Sequence, residues 1–348
     1  MNHIKIKRKG KRLKCLALIF IVLSLICLIL ISNFGKFFIN QIEMTSYEVP
    51  SNDENSSIAI PAKNSNTLKV KSNHSITFVF TPFSSSFNYL NRLYNITVRS
   101  WINSFPNSTF FIFGNKINYN DMNKIISRFT NNYEFITDIE EDEIGLMYVD
   151  DIFIKSIEKA KTDLICFIMQ DTALVPDVSN KVNFLYEYFS QKKTQFAVLG
   201  RRCVSSYPPN GNTSYNLFME ELKNFDQLRN INAILNADYS NDFILFSLNN
   251  NKLDFSDIPP FLFGLYAWDT WIPGWMNEKI PIISLGNECS SYHIQHSKTM
   301  VSKIKVASNY ELSQIHPKEN LVYSDLKFHI TNNTLYDEFH PIVSFEKR

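Results

Sequence analysis

Glycine is scarce in this 348-residue chain, with nine residues and no glycine-rich run. That excludes the G-x-G-x-x-G and P-loop devices, in which closely approaching backbone amides cradle phosphate. A chain of this kind that handles phosphate calls instead on a carboxylate-held metal or on side-chain cations. Cysteine is also sparse: Cys15 and Cys27 fall at or in one long apolar run, and Cys166 falls in a second apolar stretch. Only Cys203 and Cys289 are placed to pair in an oxidising compartment, and their spacing does not show that they meet. An excess of one charge is missing as well, since 35 Lys and Arg balance 34 Asp and Glu for a net +1. No basic surface for nucleic acid is implied. There is no nucleophile elbow, and no pair of acids has a glycosidase setting, so a hydrolase is disfavoured.

What positive charge there is gathers at the start. Lys5, Lys7, Arg8, Lys9, Lys11, Arg12 and Lys14 precede residues 15–32, which carry no charge, Pro or Gly. A helix of that length spans about 27 Å, enough for a bilayer core, with residues 33–38 extending it at the interface. Positive charge before the span orients the N-terminus to the cytosol. The competing reading, a cleaved signal peptide, wants a shorter apolar region and a small-residue cleavage site, which does not follow Ser32. The expected organisation is therefore a basic cytosolic tail (1–14), a type II anchor (15–38), a polar stem (39–73) and a luminal domain (74–345). The site of residence would be a Golgi or ER membrane. Six Asn-x-Ser/Thr sequons, at Asn55, Asn73, Asn95, Asn107, Asn212 and Asn332, permit a luminal domain without proving one.

Within the domain, short apolar runs alternate with helix-period segments. Strands are expected at 76–80, 109–113, 133–136, 164–169, 195–199 and 242–247. Helices are expected at 87–104, 121–130, 150–161, 177–190 and 215–225. Strands separated by helical runs need crossover connections, hence an α/β fold with a mostly parallel, nucleotide-binding sheet.

The run 164–169 enters Gln170-Asp171-Thr172. Ligands bind beyond the carboxyl ends of parallel strands, so Asp171 is placed either to face a ligand or simply to begin a turn. Further on, Pro259, Pro260 and Gly264 shape a turn before Trp268-Asp269-Thr270-Trp271. Aromatic rings around one acid fit a sugar subsite, with rings on the pyranose faces and the carboxylate on hydroxyls. A packing helix with Asp269 near its N-cap fits equally. His293 and His296 stand three apart; either is a structural histidine or a late metal ligand beside Asp171.

Several segments, in order from about residue 76 to 300, together resemble a eukaryotic family of nucleotide-diphospho-sugar transferase-like proteins of GT-A type fold. They are Asp150-Asp151-Ile152-Phe153, Met169-Gln170-Asp171, Val198-Leu199-Gly200-Arg201-Arg202, Pro259-Pro260-Phe261 with Gly264 and Trp268-Asp269-Thr270-Trp271, and His293-Ile294-Gln295-His296. The resemblance implies a glycosyltransferase that moves sugar from a nucleotide-diphosphate donor to a luminal glycan or glycoprotein. It implies Asp171 as the single acid of a degenerate Asp-x-Asp motif, holding a divalent ion such as Mn²⁺ with His296. Asp269 falls where such enzymes keep their general base or an acceptor-binding acid. Thr81, Pro82, Asp151 and Arg201 lie at the donor, and Trp268, Trp271 and Trp275 frame the acceptor. Met169 departs from the pattern, because it stands where a second metal-binding polar residue is expected. That departure keeps two alternatives open: a non-catalytic sugar-binding or assembly subunit of the same fold, and a membrane-anchored adhesin.

Overall fold

In the computed structural model, the described residues are 67–68, 74–82, 88–114, 116–205, 233–235, 241–249, 252–265, 267–286, 289–294, 309–314, 326–331, 333–337 and 340–345. All belong to the second of two compact units, Ala62–Arg348. The tail, the anchor and most of the stem expected from the sequence, with the helix at 215–225, lie outside them. Among the described residues no helix is long and apolar enough to cross a membrane.

Continuous apolar runs become central strands because they can be covered on both faces. The strand β2 (Ile76–Phe80) is buried at every position. It is followed by α1 (Asn88–Ser104), β3 (Thr109–Phe113), α2 (Lys116–Ile126), β4 (Tyr133–Ile136), α3 (Val149–Lys159) and β5 (Leu164–Ile168). These strands pair in parallel in the order β5-β2-β3-β4, as crossover helices require. A short strand β1 (Thr67–Leu68) lies far off at the other edge.

After β5 come β6 (Thr172–Leu174), α4 (Val178–Gln191), β7 (Ala197–Ser205), β8 (Ala233–Leu235) and β9 (Asn241–Ser247). Then follow α5 (Trp268–Asn277), β10 (Ile282–Ser284), β11 (Ser291–His293), β12 (Phe328–Thr331), β13 (Thr334–Asp337) and β14 (His340–Phe345). The large sheet runs β1-β14-β13-β12-β10-β7-β9-β5-β2-β3-β4. It is mostly parallel in its helix-covered part, with β9 antiparallel to both β5 and β7. The fold is thus mixed α/β, as expected, with an inversion at β9 that the sequence did not announce and an antiparallel β12-β13-β14 meander beyond it.

That inversion positions everything that follows. Because β9 runs backwards, its first residues meet the last residues of β5, with Phe243 opposite Ile168. The pairing of β9 with β7 also slips: Leu199 faces Ile244 and Arg201 faces Asn241. Two residues of β9, Asp242 and Phe243, therefore oppose the single Gly200, a β-bulge of the kind that re-aims side chains. Gly200 is required there. A Cβ would lie 2.0 Å from the Phe243 ring and 2.7 Å from Ser290 Oγ.

Two apolar cores cover the faces. One gathers Phe78, Trp101, Phe110, Phe184 and Phe196; the other gathers Phe153, Phe167, Phe246, Phe255, Trp271 and Trp275. In the second, Phe153 and Phe167 stack with ring centres 3.6 Å apart.

Candidate functional site

The cleft of the domain opens at the carboxyl end of β2 and β5 and the amino end of β9. It is walled by Phe80, Phe167, Phe243, Phe263 and Trp268, with Thr81, Asn241, Asp242 and Asp269 as its polar groups. Met169 lies in its wall too. An apolar pocket with a few convergent polar groups is the usual form of a small-molecule site.

Asp269 owes its place to an irregular helix start. Ala267, at the N-cap of α5, has φ 91° and ψ −34°, a conformation that L side chains rarely adopt. Four residues after Asp269, Pro273 sits inside the helix and supplies no amide to the Asp269 carbonyl. The Asn241 side-chain amide donates to that carbonyl instead, at 3.4 Å, and ties α5 to the start of β9. Asp269 is partly buried, yet its Oδ1 is enclosed and has no hydrogen-bond partner among the described residues. Burial pushes its pKa up to about 6. The amides of Asp269 and Thr270 and the Arg202 charge oppose the rise, and the Asp242 charge adds to it.

Beside the cleft lies a buried ionic cluster. Asp171 and Asp242 each expose only 2 % of their side chains. Nδ1 of His293 stands 3.5 Å from Asp171 Oδ1 and 3.4 Å from Asp242 Oδ2. Arg202 Nη1 stands 3.4 Å from Asp242 Oδ1. Burial alone would lower the His293 pKa, but the charges of Asp171 and Asp242 raise it on balance. The strand β11 carries His293 between two partners, antiparallel to β6 and parallel to β7. The Ile294 amide bonds the Asp171 carbonyl at 2.9 Å. Helix α1 holds β6 in turn, through Trp101 Nε1 to the Thr172 carbonyl at 2.8 Å. Cys203, next to Arg202, is bonded to Cys289 just before β11, with Cα atoms 5.6 Å apart.

The expected site residues divide. Thr81, Trp268 and Asp269 meet in the cleft, and Pro82 follows Thr81 in the chain without lining the cleft. Asp171 is close by but turned to His293. Asp151 stands apart: its Oδ2 accepts the Glu140 amide at 2.7 Å and pairs with Lys155 at 3.1 Å, so it stitches a surface loop to α3. Its neighbour Ile152 lines the cleft. Trp271 and Trp275, expected at the acceptor, are 3 % and 2 % exposed and pack in the second core against Phe261 and Phe255. The strand β7 carries Arg201 opposite Asn241, and the adjacent Arg202 reaches Asp242, an acid of the cleft. His296 lies outside the described residues.

Two members of the site were not singled out from sequence. Asp242 read as the start of an apolar strand, and only the antiparallel course of β9 brings it to Asp171. His293 was weighed only as half of a pair, and its strand pairing decides its role. Among the described residues no group of three His, Cys, Asp or Glu is arranged to hold a metal ion. The carboxylate expected to hold one has the His293 imidazole within ion-pair distance instead.

Compared as a sequence, the chain matches no family model and no curated protein. In shape it has distant likenesses among solved structures. One is the mannosyltransferase PcManGT of Pyrobaculum calidifontis, solved with GDP-Man and Mn²⁺: 9 % identical, covering 75 % of this chain and 70 % of that one, TM-score 0.41. Another is residues 1–349 of S. aureus TarS, 12 % identical over 63 % of this chain and 60 % of that one, TM-score 0.40. A third is a 4-diphosphocytidyl-2C-methyl-D-erythritol synthase of Anaerococcus prevotii, 10 % identical over 70 % of this chain and 100 % of that one, TM-score 0.34. No function is taken from them.

Proposed function

We propose that this chain is a glycosyltransferase that transfers a sugar from a nucleotide-diphosphate donor to an acceptor hydroxyl, with Asp269 as general base. The observation that carries the reading is the setting of Asp269. It is a carboxylate with one enclosed, unbonded oxygen on an apolar cleft at the strand ends, its pKa raised to about 6. Such a group is ionised near neutral pH and basic enough to take a proton in the transition state.

In this mechanism the acceptor oxygen attacks the anomeric carbon, the bond from that carbon to the diphosphate oxygen breaks, and the acceptor proton passes to Asp269. The nucleoside diphosphate leaves with the electron pair. Trp268 and Phe263, whose ring centres lie 5.2 Å apart in the cleft, offer aromatic faces to a sugar. Thr81, at the end of β2, offers a hydroxyl to the donor. Asp242 lies between Arg202 and His293, and its charge keeps Asp269 from losing its proton too readily. The expected divalent ion would draw on Asp171 with His296. No step is routed through it. The resident compartment in this reading is the Golgi or ER lumen, with the acceptor a glycan or glycoprotein.

The test is thermal unfolding of the protein against a panel of nucleotide sugars, with and without Mn²⁺, followed by transfer assays on the donor that binds. A rise in melting temperature with one donor, kept in Asp269→Asn while transfer is lost, is expected. If no nucleotide or nucleotide sugar shifts the melting temperature, the reading fails and the sugar-binding or adhesin alternatives take its place.

A further inference from the structure

Asn107 sits at the corner of a tight turn between α1 and β3. The Ser108 amide donates to the Phe105 carbonyl at 3.1 Å, which places Pro106 and Asn107 at the two central positions of a β-turn. Proline at the first of these pre-sets the backbone for that turn. Phe105 is 2 % exposed and anchors the turn in the core, while Asn107 is exposed. Asn107-Ser108-Thr109 is a sequon with no proline in its middle position. Thr109 opens β3 at the surface, its hydroxyl oxygen accepting from Asn132 Nδ2 at 2.8 Å. The one other sequon whose three residues are described, Asn95-Ile96-Thr97, is different. It lies inside α1, and Thr97 is fully buried with its hydroxyl on the Tyr94 carbonyl.

The Cys203–Cys289 bond supplies the second, independent observation. Its atoms are within bonding distance in the fold, and such bonds form and persist in oxidising compartments and rarely in the cytosol. The compartments that oxidise cysteines in eukaryotes are those in which sequons are glycosylated. The topology then separates this turn from the cleft. Asn107 precedes the amino end of β3, whereas Thr81 follows the carboxyl end of β2, and the two strands are parallel neighbours. A large group on Asn107 leaves the cleft open.

We infer that Asn107 carries an N-linked glycan, borne on the end of the sheet opposite the cleft. In the modification, Asn107 Nδ2 bonds to C1 of the reducing sugar of a lipid-diphosphate-linked oligosaccharide. The C1–oxygen bond to phosphate breaks, the lipid diphosphate departs, and the amide gives up one proton. The inference stands apart from the transferase reading and shares with it only the compartment.

The experiment is expression of the full chain in a eukaryotic secretory host, followed by peptide N-glycosidase treatment in ¹⁸O water and mass spectrometry of the peptide containing Asn107. A non-reducing against reducing gel of the same sample reports the disulfide. The expected result is conversion of Asn107 to ¹⁸O-labelled Asp. Asn107→Gln and Thr109→Ala should each lose one glycan in mobility, and Thr109→Ser should retain it. An unmodified Asn107 in protein that holds the Cys203–Cys289 bond overturns the inference. So does a chain that folds with both cysteines reduced and no glycan at all.

Discussion

Nδ1 of His293 lies 3.5 Å from Oδ1 of Asp171, so the acid at the end of the central strand meets an imidazole supplied by the protein itself. The same imidazole stands 3.4 Å from Asp242, and both carboxylates are all but inaccessible to water. Removing His293 takes away an ion-pair partner of two buried carboxylates, Asp171 and Asp242. Breaking a buried ion pair by deleting one partner typically costs about 3–5 kcal/mol. His293→Ala is expected to lower the denaturant midpoint by an amount in that range. The sign of its pH dependence is set by the raised pKa. Stability from His293 is fully present below the unfolded value of 6.5 and is lost as pH rises through the higher folded value. Denaturant titrations at a series of pH values should show that loss in the native protein and not in His293→Ala.

Asp269 predicts a second, separate pH window. Its folded pKa of about 6 lies above the unfolded 3.8, so the unfolded chain releases this proton first as pH rises. Stability from this group is full below about 4 and is lost as pH rises to about 6, by at most about 3 kcal/mol. Asp269→Asn should abolish that slope and leave the protein more stable at neutral pH. The same substitution should cut the transfer rate by about 10²–10⁴, the ordinary worth of a general base, with donor affinity kept. The wild-type rate should climb through about pH 6 to a plateau. Equal losses in rate and donor affinity would argue against the base.

Much of this fold was legible in the sequence because burial on both faces leaves an unmistakable mark. Ile76–Phe80, Thr109–Phe113, Tyr133–Ile136 and Leu164–Ile168 are strands where apolar runs said they would be. Asp171 and Asp269 were visible because each follows a segment with strong local grammar. The members that escaped, Asp242 and His293, depend on strand direction and neighbour choice. An apolar run reads the same forwards and backwards, so the antiparallel course of β9 leaves no trace in composition. Trp271 and Trp275 were ambiguous for a different reason. Aromatic clustering signals a ring-lined subsite and a ring-packed core equally well, and only burial separates them.

The bulge opposite Gly200 gives a sharp packing test. A Cβ at this position would sit 2.0 Å from the Phe243 ring, far inside contact distance, and Phe243 is itself only 2 % exposed. Gly200→Ala should destabilise by about 1–3 kcal/mol, the usual cost of overpacking. Trimming the ring in Gly200→Ala/Phe243→Leu should recover part of the loss, so the double-mutant cycle should be strongly non-additive. Additive losses would show that the ring does not lie where the bulge puts it.

The Cys203–Cys289 bond closes a segment of 86 residues and pins the start of β11 to β7. Restricting the unfolded chain over so long a loop stabilises by about 2–5 kcal/mol. The Cys203→Ser/Cys289→Ser protein should melt correspondingly lower. Because β11 carries His293, its loss of order should also surface in hydrogen exchange at Tyr292 and Ile294 before the β2–β3 region opens.

Trp268 and Trp271 make the last prediction, because they share one helix and differ in what surrounds them. Trp271 stacks with Trp275 at 6.4 Å and meets Phe261 at 5.4 Å inside the second core. Trp271→Ala should therefore cost about 3–5 kcal/mol, the usual cost of emptying so large a buried site. Once folded at low temperature, that variant should treat all acceptors as the native protein does. Trp268 belongs to the same core at 6 % exposure but also lines the cleft, beside Phe263. Trp268→Ala should lower the melting temperature less and raise the KM for acceptor more, because a ring that stacks on sugar contributes to binding rather than to the core. Circular-dichroism melts and acceptor titrations on the two variants decide it. If the KM effect follows Trp271 instead, the second core is a binding surface and the burial argument is wrong.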